Sequence, residues 1–179
     1  MGGGVTNALS GRDFNDLLRK IADKLGDVDI ALDILSMRLS FARSQSSTSE
    51  IVEIGCELLG RVKLAQRADP GVGYRLEMVG RHCLVGETGA ATVREICRNL
   101  KDAVSKSETS VFYHRDLLQI LFSVQPLAAL ESLCGGGAAD IKLGLSILHQ
   151  AGRVQDHLRI QLSKLSQTRY ESASSTSYS

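Results

Sequence analysis

The sequence predicts an all-α protein, on three observations. Apolar residues recur at helical spacing through almost every segment, no stretch alternates apolar and polar as a half-buried strand would, and the breaks fall at glycine, proline and polar clusters. The 179 residues suffice for one ordinary domain or two small bundles, and a hydrophobic content of 43% suits a real core. With no Trp and 4% aromatics, that core is aliphatic.

The elements follow in order. After a glycine-rich start read as flexible (1–11), Phe14, Leu17, Leu18, Ile21, Ala22 and Leu25 form one apolar stripe, a first helix that Gly26 breaks. Asp27 or Asp29 then caps a second helix, DVDIALDILSMRLSF, where a carboxylate also suits the positive end of the helix dipole. This helix is apolar nearly all round, which predicts a place deep in a bundle. Residues 44–50 are a polar connector ending in a capping box, Ser47 with Glu50, ahead of the stripe Ile51, Ile54, Leu58 and Val62. A turn at 68–73 precedes the short helix YRLEMVGRHCL. Thr92 with Glu95 reads as a second capping box, opening the stripe Val93, Ile96, Cys97, Leu100 and Val104. FYHRDLLQILFSV stops near Pro126, and LAALESL and DIKLGLSILHQAG follow on either side of a CGGG loop. Val154, Leu158, Leu162 and Leu165 mark a last helix, for nine or ten in all, before a Ser/Thr-rich tail read as disordered (167–179).

The chain also repeats itself. GYRLEMVGRHCL (73–84) and DIKLGLSILHQAGRV (140–154) share an apolar core, a glycine and an arginine one place after it, each behind a Gly-rich loop, which points to two similar units in tandem.

Several function classes drop out on chemistry. A formal charge of +1, from 21 basic and 20 acidic residues, leaves no electrostatic footprint for nucleic acid. No apolar run approaches the roughly 20 residues that span a bilayer. MGGGVT, with Gly2 and Thr6 in place, fits N-myristoylation; without a polybasic second signal, one acyl chain gives at most weak membrane association. Cys56, Cys83, Cys97 and Cys134 form no CxxC pair and read as reduced thiols of a cytoplasmic protein. GETGAAT imitates a phosphate-binding loop, but no Lys follows Gly89 and no strand runs into Gly86. Gly86 and Gly89 read more simply as a turn before the Thr92 cap. His82 is adjacent to Cys83, so the two side chains point apart on a helix, and His114, His149 and His157 have no acid at a recognisable spacing. Such residues read as core thiols and surface imidazoles. The zinc chemistry that needs clustered ligands has none, so neither a metal nor a cofactor is expected.

With the helices placed, residues 12–88 resemble a death effector domain, a six-helix bundle of the death fold. The carriers are DFNDLLRKIADKLGDVDIALDILS for helices one and two and YRLEMVGRHCL for helix five. Asp29 stands where that family opens helix two with an acid, and Ile34 and Leu35 where it carries a Phe-Leu pair. Arg81 to Leu84 stand where it ends helix five in R-x-D-L, with Cys83 in place of the aspartate. Residues 89–166 resemble a second, divergent unit with ILHQAGRVQDHL as its fifth helix, Arg153 and Leu158 framing the motif and Asp156 one position late.

The resemblance implies two tandem death-fold bundles that work by surface complementarity, with no catalytic residue. It places partner binding on Asp29, Ile34, Leu35, Arg81, Leu84, Arg153 and Asp156, and pairs Arg81 with Asp29 or Asp27. Periodicity alone reads Ile34 and Leu35 as core residues of helix two. Two units followed by a Ser-rich tail resemble the short FLIP-type inhibitors of death-receptor signalling, some of them viral. That implies binding to the death-receptor adaptor and initiator procaspase and, as for some members, to the NF-κB kinase regulatory subunit. Two other readings stay open: a HEAT-like α-solenoid scaffold, which predicts an open stack in place of two compact bundles, and a death-fold adaptor that activates the pathway.

Overall fold

The computed structural model describes residues 11–41, 49–62, 64 and 71–152. Among the described residues there are eight α-helices, one 3-10 turn and no strand, so the protein is all-α. The helices are α1 (Gly11–Leu25), α2 (Asp29–Phe41), α3 (Ser49–Gly60), α4 (Gly71–Cys83), α5 (Gly86–Ser105), α6 (Arg115–Val124), α7 (Pro126–Cys134) and α8 (Ala138–Gln150). The 3-10 turn, Val111–His114, runs directly into α6. Local chemistry sets these limits. Gly26 ends α1 with φ +60, and Asp27 Oδ1 accepts the backbone N–H of Asp29 at 2.9 Å, which makes Asp27 the residue that starts α2. Pro126, whose missing N–H costs nothing in a first turn, opens α7.

The helices form two layers. α1, α3, α5 and α7 pack in sequence in one layer and α2, α4 and α6 in the other, and α8 closes on α7 and α5. Each helix therefore finds its main neighbours one or two places along the chain. α5, at 20 residues and about 30 Å, lies against α3 and α7 and buries Val93, Ile96, Cys97 and Leu100. A single apolar cluster runs from Phe14 to Ala151.

That packing corrects the sequence reading at several points. The division expected between residues 88 and 89 falls inside the first turn of α5, and the core passes straight through it. Between residues 12 and 85 the described residues hold four α-helices. Thr92 is not a cap but the seventh residue of α5; it is buried, and its hydroxyl donates to the Thr88 carbonyl at 3.0 Å. Gly86 does turn the chain, with φ +61, whereas Gly89 is helical and lies where the Leu84 backbone leaves no room for a Cβ. The two Gly-Arg pairs of the apparent repeat are not equivalent either. Gly80 sits inside α4 against Ile120, and Gly152 lies beyond α8 with φ +71. The last expected helix (154–165), Ser47 and the 167–179 tail lie outside the described residues.

Two helix crossings depend on a missing side chain. A Cβ on Gly55 of α3 would collide with the Cys83 side chain at the end of α4, and one on Gly144 of α8 would collide with the Leu133 carbonyl oxygen of α7. Gly55→Ala and Gly144→Ala are each expected to cost about 1–3 kcal/mol in urea unfolding, the usual penalty of overpacking. Gly60→Ala, where a Cβ would meet only the end of the Glu95 side chain at 3.7 Å, should not destabilise the protein, since alanine is the better helix former.

Candidate functional site

Of the residues that the resemblance marks for partner binding, the described ones do not share a surface. Leu35 and Leu84 are 0% and 1% exposed and belong to the core, as periodicity alone had read Leu35. Ile34 is half-buried and packs against that core, and Asp29 is half-buried at the head of α2. α2 and α4 do stand side by side, and an ion pair of Arg75 with Asp33, at 3.0 Å, joins them. Arg81 pairs instead with Glu77 on its own helix at 3.1 Å. Six residues carry a helix through about 240°, so when Arg75 faces α2, Arg81 is turned away. Cys83, in the aspartate's place, is fully buried, and its thiol donates to the Ile51 carbonyl at 3.4 Å. A carboxylate there would be an uncompensated buried charge. Gly2, Arg153 and Asp156 lie outside the described residues.

The chemically reactive side chains are largely enclosed. Burial pushes the Cys83 thiol up to about 12, helped by the neighbouring Cys56, and pushes Cys97 up to about 12 as well. That direction is the reverse of what a nucleophilic thiolate needs. His114 was read as a surface imidazole and is instead buried, at 8% exposure. Its Nε2 lies 2.9 Å from the Thr109 hydroxyl, and its ring has a backbone hydrogen bond to Leu64, so it ties the 3-10 turn to the segment after α3. A cleft between α5 and α8, lined by Arg98, Lys101, Asp102, Ser105, Asp140 and Leu143, carries both signs of charge. Lys101 approaches Asp140 to 3.6 Å across it. Among the described residues no group of His, Cys, Asp and Glu could hold a metal ion, and no helix is long and apolar enough to cross a membrane.

The surface between α1 and α3 is polar and closed by ion pairs. Arg19 reaches Glu57 at 2.7 Å, Glu53 at 3.1 Å and Asp16 at 3.2 Å, and Arg61 reaches Asp23 at 2.7 Å. α2 presents the opposite character. It buries Ala31, Leu32, Leu35 and Leu39, yet it is not deep in the fold, because Ile30, Met37 and Phe41 are 51%, 55% and 85% exposed. With half-buried Ile34 these residues follow a 4-3-4 spacing, which draws one narrow row along the helix, roughly 140° away from the buried face. The impression of a helix apolar all round came from two separate apolar faces. Ile30, Met37 and Phe41 were missed as site residues, and the signal that finds them is that second 4-3-4 register. The other exposed apolar residues are singles or pairs: Leu17 and Leu25 on α1, Val85 before α5, Phe112 with Tyr113 on the 3-10 turn, Leu127 on α7, and Ile141 with Leu145 one turn apart on α8. Singles and pairs are ordinary on a protein surface, and a row along a whole helix is not.

Compared with protein-family models, with curated proteins and with solved structures, the chain finds no match. The row on α2 is thus the candidate site on the strength of its own residues.

Two outcomes check this assignment of faces. Leu35→Asp should cost more than about 3 kcal/mol in chemical denaturation, because it leaves a cavity and an unpaired charge. Met37→Asp, on the same helix, should stay within about 0.5 kcal/mol. His114 supplies an acid sensitivity. Burial lowers its pKa from the ordinary 6.5, so as the pH falls the unfolded chain takes up the proton first. The stability tied to neutral His114 is full above pH 6.5 and is lost progressively below it, toward the lower folded value. Thermal unfolding midpoints between pH 7.5 and 5.5 should therefore fall more steeply for wild type than for His114→Gln.

Proposed function

We propose that the chain is a non-enzymatic interaction protein, a two-layered helical scaffold of the α-solenoid kind that presents the outer row of α2 to a helix of another chain. The observation that carries this reading is the row itself. Ile30, Ile34, Met37 and Phe41 repeat at the spacing by which one helix seats against another, on a face that the other described helices leave largely exposed. Helical packing from one neighbour to the next supports it, since stacked arrays of this kind work through extended surfaces and not through a reactive centre.

The death effector domain reading keeps one supporting observation: α2 and α4 are adjacent and joined by an acid–arginine pair, Asp33 with Arg75. On that reading the partners are the death-receptor adaptor, the initiator procaspase and the NF-κB kinase regulatory subunit, and α2 is the surface they meet.

A photoreactive benzophenone amino acid placed at position 37, and in a control at exposed position 119 on α6, tests both. A protein adduct from position 37 and none from position 119 is the expected result. No protein adduct from position 37, or equal adducts from the two positions, overturns the interaction surface. A parallel arm with purified adaptor decides the second reading, which stands if the adaptor is captured at position 37 and falls if it is not.

A further inference from the structure

The row on α2 lies between two charges of opposite sign whose spacing is informative. Let Ile30 and Met37 be one set of seam positions and Ile34 and Phe41 the other, as in a two-stranded helical seam. Asp33 then sits on one flank of the seam and Arg38 on the other, five residues further on. Asp33 remains 47% exposed despite its pair with Arg75, and Arg38 is half-buried with its guanidinium 4.1 Å over the Phe14 ring of α1. Asp33 is therefore still open to solvent, and both side chains are held in place by contacts within the chain.

Separation by five residues across the seam is the register at which flanking charges meet in a parallel helix pair. When two copies of α2 run side by side in the same direction, Asp33 of each faces Arg38 of the other, and the two-fold axis makes the contact twice. In an antiparallel pair like flanks meet, so Asp33 would face Asp33 and Arg38 would face Arg38. The α2 surface is thus complementary to itself in one orientation and repulsive in the other. Ala31, Leu32, Leu35 and Leu39 attach α2 to its own core by the face turned away from the seam.

We infer that the occupant of the α2 row is a second copy of this chain, docked as a parallel two-fold pair with the apolar row at the centre and Asp33–Arg38 contacts on both rims. This rests on the proposed interaction surface and adds the identity and orientation of the partner. The seam is one helix long, about 20 Å, which makes the dimer weak and concentration-dependent.

Sedimentation or light scattering on the whole chain over a concentration series tests it, with circular dichroism to confirm that each variant is folded. Wild type should rise from the 19.3 kDa chain mass toward twice that value, and Met37→Glu should remain a monomer throughout. Asp33→Arg alone and Arg38→Asp alone should each be monomeric, because each sets like charges together twice. An equal mixture of those two variants should recover the dimer, since both contacts are then again of opposite sign. Changes to contacts within one chain cannot produce that recovery. A wild type that stays monomeric, a Met37→Glu chain that still dimerises, single variants that dimerise as well as wild type, or a folded mixture that fails to pair each overturns the inference. If wild type is monomeric while position 37 crosslinks to a different protein, the second copy is excluded and the interaction surface stands.

Discussion

Helix α5 cannot bury its apolar face against one neighbour alone, and the rest of the fold follows from how that need is met. Ala90, Val93, Ile96, Cys97 and Leu100 are all buried, and the helix that carries them touches α3 on one side and α7 on the other. Removing either neighbour would open side chains each worth roughly 1.5–3 kcal/mol of burial. α5 is therefore shared property of the two halves. The same arrangement recurs in the other layer, where α4 lies between α2 and α6. One contiguous apolar core results among the described residues.

This sharing also explains which parts of the fold were legible in the sequence. The apolar stripe of α1 was readable at its centre, where Phe14, Leu18 and Ala22 are buried, but not at its edge and end, where Leu17 and Leu25 are 42% and 53% exposed. Gly26 and Pro126 were readable because their backbone chemistry is local. Thr92 was misplaced because a threonine followed three residues later by a glutamate is equally compatible with a cap and with a helix interior where the hydroxyl bonds back to residue 88. Nothing local distinguishes the two, and what decides between them is that Gly86 turns the chain six residues earlier.

The candidate site shows the same limit from the other side. Short motifs such as R-x-D-L describe spacing along a chain, but the direction of Arg81 is set by Arg75, which takes the position facing α2 and holds Asp33. Likewise, the buried thiol of Cys83 belongs to the crossing of α4 over Gly55, where neither a charge nor a larger side chain fits. These positions answer to packing that lies outside the motif. The residues of the α2 row were passed over for a related reason. Two apolar faces on one helix nearly cancel in any average over the helix, so the segment reads as uniformly apolar when it is divided.

A divided helix is informative because folding explains only one of its faces. Leu32, Leu35 and Leu39 are required by the core, and replacing them with polar residues would unfold it. Ile30, Met37 and Phe41 contribute little to that core at 51–85% exposure, and polar residues at those positions would leave the packing intact. The protein instead carries an apolar row bordered by Asp33 and Arg38, and each charge is anchored by a neighbour, Arg75 in one case and Phe14 in the other. Anchoring matters, because a side chain already held in place loses less conformational freedom when a partner arrives. An apolar centre with pre-positioned charges at its rim is the layout in which burial supplies the attraction and electrostatics choose the orientation. The outer face of α2 is therefore not required by the fold, and that is the physical ground on which the proposed docking is placed there.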